Sequence, residues 1–260
     1  MHTILLRQMC HCLAALGVAE VTGYLLSTRN LSRDVTDVAA ALDEAAKFFI
    51  KTLQSLGILR RINLHARAVG NLKLLPKSIQ ESLAQIEIAT DDGSRTRTLR
   101  LCMAYSSKCG LKNMVLDLAK AVRVGVIKSD DISPGLIADW LELIEIPETE
   151  LWFRSSGERR FSEFLVLQSG YSYMHIEPEL WPAMKFSNLV WAILRFQLNW
   201  PLIKAVKDKH RALCADHSHQ SDPAKTIRRS SFINHVKSRR MAHMNRLCSG
   251  EPTPPINKSL

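Results

Sequence analysis

Short apolar, β-branched runs alternate with helix-like stretches along most of this chain. That alternation is most simply met by parallel strands joined through helical crossovers. Residues 3–16 place Ile4, Leu5, Met9, Leu13 and Leu16 on one helical side, and Gly17 can end that helix. Val18 to Leu26 predicts a strand. Ser32 or Asp34 can cap the next helix, whose buried stripe reads Val35, Val38, Leu42, Phe49, Leu53 and Leu56. Ile62 to Val69 alternates and stops at Gly70, a second strand. Pro76 opens a helix to about Ala89, Asp91-Asp92-Gly93 is a turn, and Thr98 to Tyr105 is a third strand. Leu111 to Val124 is helical, and Ser133-Pro134 caps and opens a helix that runs to Ile144, before Pro147. Glu150–Arg154 and Ser172–Ile176 are short strands, followed by helices over Phe186–Phe196 and Pro201–Leu213. The fold class is therefore α/β, with one mostly parallel central sheet flanked by helices on both faces.

With 260 residues and 46% hydrophobic composition, the chain suits one large domain or two small ones and can fill a core. No apolar run nears the ~18–20 residues that span a bilayer. Met1 to Leu26 carries Arg7, His11 and Glu20 and lacks the pattern of a secretory signal, which points to the cytosol and reduced thiols. The net charge of +10 is uneven: Lys204 to Cys248 holds 11 Lys/Arg against 3 Asp. Residues 1–213 thus read as the folded domain and 214–260 as a basic, partly disordered tail. Such a tail suits an anionic partner or simple solvation, and both readings stand at this point. Nucleic acid is not expected, because Phe232 has little aromatic company there.

The six cysteines, Cys10, Cys12, Cys102, Cys109, Cys214 and Cys248, form no CxxC pair. Cys10-His11-Cys12 sits in a helical pattern where i and i+2 point about 200° apart, so no metal site is expected there. His217 and His219 lie in the polar tail and carry no metal reading either. There is no GxGxxG or Walker loop.

Ligands of such sheets bind beyond the carboxyl ends of the strands. Two polar segments lie there. Arg154-Ser155-Ser156-Gly157-Glu158-Arg159-Arg160-Phe161-Ser162 places three arginines, three serines and a glycine after a strand. Hydroxyls, backbone N–H groups and guanidinium forks all bind phosphate, and Gly157 allows close backbone approach. The competing reading is a basic surface loop in which Glu158 pairs an arginine. Ser27-Thr28-Arg29-Asn30-Leu31-Ser32-Arg33 has the same ingredients ahead of a helix N-terminus, where capping residues would look alike. Together the loops suggest a ligand with several phosphate groups.

These segments carry a resemblance. Arg154–Ser162 followed by Glu163-Phe164-Leu165-Val166-Leu167-Gln168-Ser169 resembles the RTSGE-x-R-x-S-x-F-L-x-x-Q signature of the cis-prenyltransferases, the undecaprenyl and dehydrodolichyl diphosphate synthases. Leu180-Trp181-Pro182 is similar to the downstream LWP, and Tyr24 to Asn30 resembles YAFSxEN. Gly70 with Leu75-Pro76, and Ala104-Tyr105-Ser106-Ser107, fit the middle of the family, so the likeness covers about residues 4–213. Phe186 to Asn199 is closer to the eukaryotic dehydrodolichyl branch.

The resemblance implies condensation of isopentenyl diphosphate onto a farnesyl-type allylic diphosphate with cis geometry, with Mg²⁺, to make polyprenyl diphosphate for dolichol. It implies that Arg154, Arg160, Phe161 and Ser162 hold the isopentenyl donor. It places Ser27, Thr28, Arg29 and Arg33 by the allylic site, with Asn30 in a proton-handling position. It implies a homodimer, or a heterodimer with a Nogo-B-receptor-like subunit, in the cytoplasm or peripherally on the cytoplasmic face of the endoplasmic reticulum. The helix from Val35 to Leu56 could line a hydrocarbon tunnel, although its spacing by itself favours plain core.

Departures are visible too. The family's first strand, its MDGNGRWA-type loop and its GHxxG helix start have no counterpart here, so the domain reads as incomplete at its N-terminus. Arg29 replaces an acidic residue, Leu31 an aromatic one, and Tyr173 stands where bacterial members carry a metal-binding glutamate. No residue of this chain is assigned to a metal. The alternative function is a non-catalytic scaffold or regulatory subunit that keeps the fold.

Overall fold

The computed structural model describes residues 13–250 apart from 92, 94, 95, 182 and 216–221. Most of the expected 3–16 helix, Cys10, Cys12, His217 and His219 lie outside them; residues 13–15 are helical. Among the described residues the chain forms two units, one of 13–109 with 235–250 and the other of 110–234.

In the first unit, β1 (Glu20–Ser27), β2 (Leu64–Val69) and β3 (Arg97–Tyr105) form a parallel sheet in the order β1-β3-β2. The alternation seen in the sequence sorts its faces. Leu64, Ala66, Ala68, Leu99, Leu101 and Met103 join a core with Phe49 of α1 (Val35–Gln54) and Ile79, Leu83 and Ile86 of α3 (Lys77–Thr90). Full burial of such side chains is worth about 1.5–3 kcal/mol each. The opposite face is polar: Thr22, Arg100 and Arg67 stand side by side in register. Arg100 is almost wholly buried and pairs with Glu20. Burial, with the neighbouring guanidinium of Arg240, lowers the Arg67 pKa to about 10.

An edge strand needs its outer backbone groups satisfied. On β2, the Ala66 amide donates to Thr90 Oγ1 at 3.0 Å and the Ala68 amide to Glu87 Oε2 at 2.8 Å. Arg240 donates to the Ala68 carbonyl at 3.0 Å. β2 then turns at Gly70, φ +126°, where an added Cβ would lie 2.0 Å from the Met103 carbonyl oxygen. No side chain fits there.

In the second unit, β4 (Leu151–Arg154) and β5 (Tyr173–Ile176) pair in parallel with each other. The five expected strands are all present, and each pairs in parallel with its neighbours, three in the first unit and two in the second. β4 and β5 hydrogen-bond across a single shared ladder, and no other described strand extends it. α4 (Ser107–Arg123) enters this unit at Gly110. α5 (Pro134–Ile144) is capped by Ser133, and its buried Trp140 donates to Asp117 at 3.1 Å.

The expected helices 186–196 and 201–213 are one helix, α6 (Phe186–Ala215). Pro201 lies inside it. The cost is limited because the missing donor is the proline's own N–H, and the carbonyl left without it is that of Gln197, an exposed residue whose carbonyl can turn to water. Lys207 on the inner side bonds Glu148 at 2.9 Å and lies over the Trp200 ring.

Two further differences concern helices. A short helix, α2 (Leu56–Arg61), follows α1. Residues 223–248, within the expected disordered tail, form α7 (Pro223–Cys248). The physical reason is that its cations are used internally. In the second unit Arg228 grips Asp131 at 2.6 and 2.7 Å, Arg229 reaches Asp139, and Phe232 is buried. In the first unit Arg240 meets Glu87, and Met244 and Leu247 complete the core. The tail's charge therefore marks ion pairs more than a solvated surface. The helix proposed for a tunnel also proves to be core on one side: Phe49 is fully buried and Leu42, Ala46, Phe48 and Leu53 pack beside it. Val35, expected in the buried stripe, is 81% exposed at the helix's first turn.

Candidate functional site

The two polar segments belong to different units, and each stands on its own geometry. In the first unit, the Thr28 amide continues the β1–β3 pairing by donating to the Tyr105 carbonyl at 3.1 Å. A 3-10 turn at Asn30–Ser32 then bends the chain toward α1, which Asp34 caps by accepting from the Thr36 amide. Hydrogen bonds from Thr36 hold the Asp34 carboxyl below its ordinary range.

Ser27 and Asn30 interlock. The Ser27 amide and hydroxyl both donate to Asn30 Oδ1, at 2.9 and 2.5 Å, and the Asn30 amide donates to Ser27 Oγ at 2.9 Å. A backbone N–H can only donate, so the atom it meets must be the amide oxygen. That oxygen is filled, and Asn30 offers a ligand only the two N–H donors of its Nδ2. It can bind an anion; it is poorly placed to accept a proton. Thr28 is half-buried beside it, while Arg29 and Arg33 are exposed and have no ion pair among the described residues.

In the second unit, the segment after β4 hangs from the chain after β5. The Glu177 amide donates to the Arg154 carbonyl at 2.7 Å, the Gly157 amide to the Glu177 carbonyl at 2.9 Å, and the Ser156 amide to the Glu179 carbonyl at 2.8 Å. The amides of Ser156 and Gly157 are therefore engaged within the protein and are not available to a ligand. Ser156, Ser162, Glu163 and Leu165 all have positive φ, a concentration of backbone cost typical of ligand sites.

Arg154 turns into the loop, donating to Ser162 Oγ at 3.0 Å and to the Arg160 carbonyl. Phe161 packs on the buried Trp152 at 5.1 Å between ring centroids. Arg160 is exposed and reaches Glu158 at 3.2 Å. Arg159 is exposed with no ion pair among the described residues. Arg154 thus meets Ser162 and the Arg160 carbonyl, while the Arg160 guanidinium turns to Glu158 and the Phe161 ring to Trp152. Two further residues stand beside this loop. Arg159 was visible as a third arginine but matched no motif position. Glu177, whose backbone holds the loop and whose buried carboxylate lies 3.5 Å from His175, could not be found from spacing.

Mg²⁺ calls for several hard oxygen donors, usually with a carboxylate among them. Among the described residues no group of three or more His, Cys, Asp or Glu converges. Glu158 is spent on Arg160, Asp34 on its helix cap, and Tyr173 offers a neutral phenol. Among the described residues, no set of side chains fits the metal.

Residues 3–200 match the family model of undecaprenyl diphosphate synthase. The chain belongs to the cis-prenyltransferase family. It is 34% identical over 195 residues to the human dehydrodolichyl diphosphate synthase complex subunit DHDDS, covering 75% of this chain and 58% of that protein. It therefore spans less than two thirds of that relative's length. It is 32% identical over 177 residues to an isoprenyl transferase of Porphyromonas gingivalis, covering 68% of each. Among solved structures, lavandulyl diphosphate synthase from Lavandula x intermedia superposes with a TM-score of 0.70 at 20% identity, over 75% of this chain and 83% of that one. A probable undecaprenyl diphosphate synthase from Campylobacter jejuni gives 0.63 at 17%, over 75% and 88%. At those identities the structures speak for the fold: α/β, with parallel strands and packed helices.

Proposed function

We propose that this cis-prenyltransferase takes part in joining isopentenyl diphosphate to a farnesyl-type allylic diphosphate, building the long polyprenyl chain from which dolichol is made. The observation that carries the reading is the loop in which Arg154 ties Ser162 and Arg160 into one cationic face. That face suits the donor's diphosphate. Ser27, Thr28, Arg29, Asn30 and Arg33 form the corresponding surface for the allylic diphosphate. In the reaction the allylic C1–O bond breaks and its electron pair leaves with diphosphate. The donor's terminal carbon bonds to that C1, and a proton lost from the donor restores a cis double bond. Asn30 donates to the departing diphosphate, stabilising charge as it develops; the proton needs another acceptor.

A second subunit is part of this reading, as the homodimer or the heterodimer that the eukaryotic branch implies. Support comes from α6, where Trp191, Leu194, Leu198, Leu202 and Val206 recur at helical spacing and are all exposed, Leu198 to 80%. An exposed apolar stripe of about 22 Å is long for a free surface. No described helix is long and apolar enough to cross a membrane; a peripheral place on the endoplasmic reticulum belongs to the same reading.

The test is incorporation of radiolabelled isopentenyl diphosphate, with farnesyl diphosphate as primer, by the chain alone and with a candidate second subunit. Long-chain product is expected with the partner and little without it. Full turnover by residues 1–260 alone would overturn the need for a partner. No product with any partner would favour the scaffold alternative.

A further inference from the structure

We infer that the side chain of Glu177 is a positioning residue for the five-carbon donor: its buried carboxylate sets the two carbonyls from which the Arg154–Ser162 loop hangs. The inference rests on the proposed donor-site reading of that loop and extends it to what holds the loop in place.

The start of the loop is wound around residue 177. The Glu177 amide donates to the Arg154 carbonyl at 2.7 Å, and the Glu177 carbonyl accepts from the Gly157 amide at 2.9 Å. The Glu179 carbonyl accepts from the Ser156 amide at 2.8 Å. The positions of Ser156 and Gly157 therefore follow those of two carbonyls on either side of Pro178. Both carbonyls lie beyond β5, which ends at Ile176. Glu177 also holds the backbone of Arg154, whose side chain reaches Ser162 and the Arg160 carbonyl, so a shift at 177 passes into the rest of the loop.

The Glu177 carboxylate restrains this segment. Its Oε1 accepts from the Glu179 amide at 3.4 Å, which ties one of the two residues to the other. Its Oε2 lies 3.5 Å from His175 Nε2. The His175 ring is stacked on Phe153, 5.4 Å between centroids and 13° between planes, so β4 fixes the wall against which the carboxylate rests. The two side chains are only 10% and 9% exposed. Taking a carboxylate out of water is costly, and an apolar side chain of similar size in its place is often neutral or stabilising. This charge therefore adds little to overall stability. What it adds is a defined geometry over residues 177–179.

The experiment compares Glu177→Met, which fills the space without an acceptor oxygen, with Glu177→Gln, which keeps one. Amide hydrogen exchange of Ser156 and Gly157 is read at single residues. The control is Tyr173, whose amide donates to the Glu150 carbonyl at the other end of the β4–β5 pair. In Glu177→Met, Ser156 and Gly157 are expected to exchange roughly tenfold faster, with Tyr173 and the thermal midpoint unchanged. Glu177→Gln is expected to restore slow exchange. Calorimetric titration of isopentenyl diphosphate into the full chain is expected to show roughly tenfold weaker binding for Glu177→Met and near wild-type binding for Glu177→Gln. Unchanged exchange in Glu177→Met would overturn the inference. So would equal acceleration at Tyr173, loss of the folded state, or a glutamine variant that behaves like the methionine one. Loosened amides with unchanged donor affinity, or a wild type that binds no donor, would overturn the donor-site reading beneath it.

Discussion

Arg240 lies 2.7 Å from Glu87, and the pair closes the free edge of β2 by serving the carbonyl and the amide of Ala68. Both side chains are largely buried, so removing one partner strands the other's charge. Arg240→Ala is therefore expected to destabilise the protein by about 3–5 kcal/mol, read from urea unfolding monitored by tryptophan fluorescence. A loss below about 1 kcal/mol would mean that the edge is served by water.

Asn30 separates two chemistries cleanly. If its Nδ2 donors are what the ligand meets, Asn30→Asp replaces a donor with a negative charge and should weaken allylic diphosphate binding more than Asn30→Ala does. About tenfold between the two variants is expected. Equal or tighter binding by the aspartate variant would show that the oxygen, not the nitrogen, faces the ligand.

Asp131 gives the fold an acid-sensitive clasp. Hydrogen bonds from Arg228 hold its carboxyl far below the usual carboxylate range. A carboxyl depressed in the folded state stabilises the protein above its unfolded pKa and stops doing so as acid protonates it. The contribution is thus complete at neutral pH and falls away as pH drops below about 4. Thermal midpoints of Asp131→Asn should lie below wild type at pH 7 and approach it near pH 2. Parallel curves across that window would contradict the assignment.

Gly70 admits no side chain, since its φ is +126° and the Met103 carbonyl oxygen fills the space. Gly70→Ala should cost about 3 kcal/mol or more, and differential scanning calorimetry would register it. A neutral substitution would mean that the β2 turn relaxes freely.

What could be read from the sequence, and what could not, follows from the range of each interaction. Strands β1 to β5 were legible because alternation and β-branched runs are local. Ser133-Pro134 located the start of α5 to the residue for the same reason. The strand order β1-β3-β2 depends on which distant strands share a ladder, and nothing local records that. Arg228, Arg229 and Arg240 looked like solvated charge because their partners, Asp131, Asp139 and Glu87, are some 90 to 150 positions away along the chain. Pro201 suggested a helix break, and only the exposure of the turn before it explains its tolerance. At the candidate site, the motif located Arg154, Arg160, Phe161 and Ser162. The orientation of Asn30 and the occupied amides of Ser156 and Gly157 needed coordinates, because both turn on single hydrogen bonds.

The central claim is that the Arg154–Ser162 loop holds an organic diphosphate. The most direct test is the dissociation constant of isopentenyl diphosphate for wild type, Arg160→Ala and Ser162→Ala, measured by calorimetry at one ionic strength. Loss of a charge-assisted contact predicts weakening of about ten- to a hundredfold for Arg160→Ala and less for Ser162→Ala. Affinities unchanged in both folded variants would contradict the account.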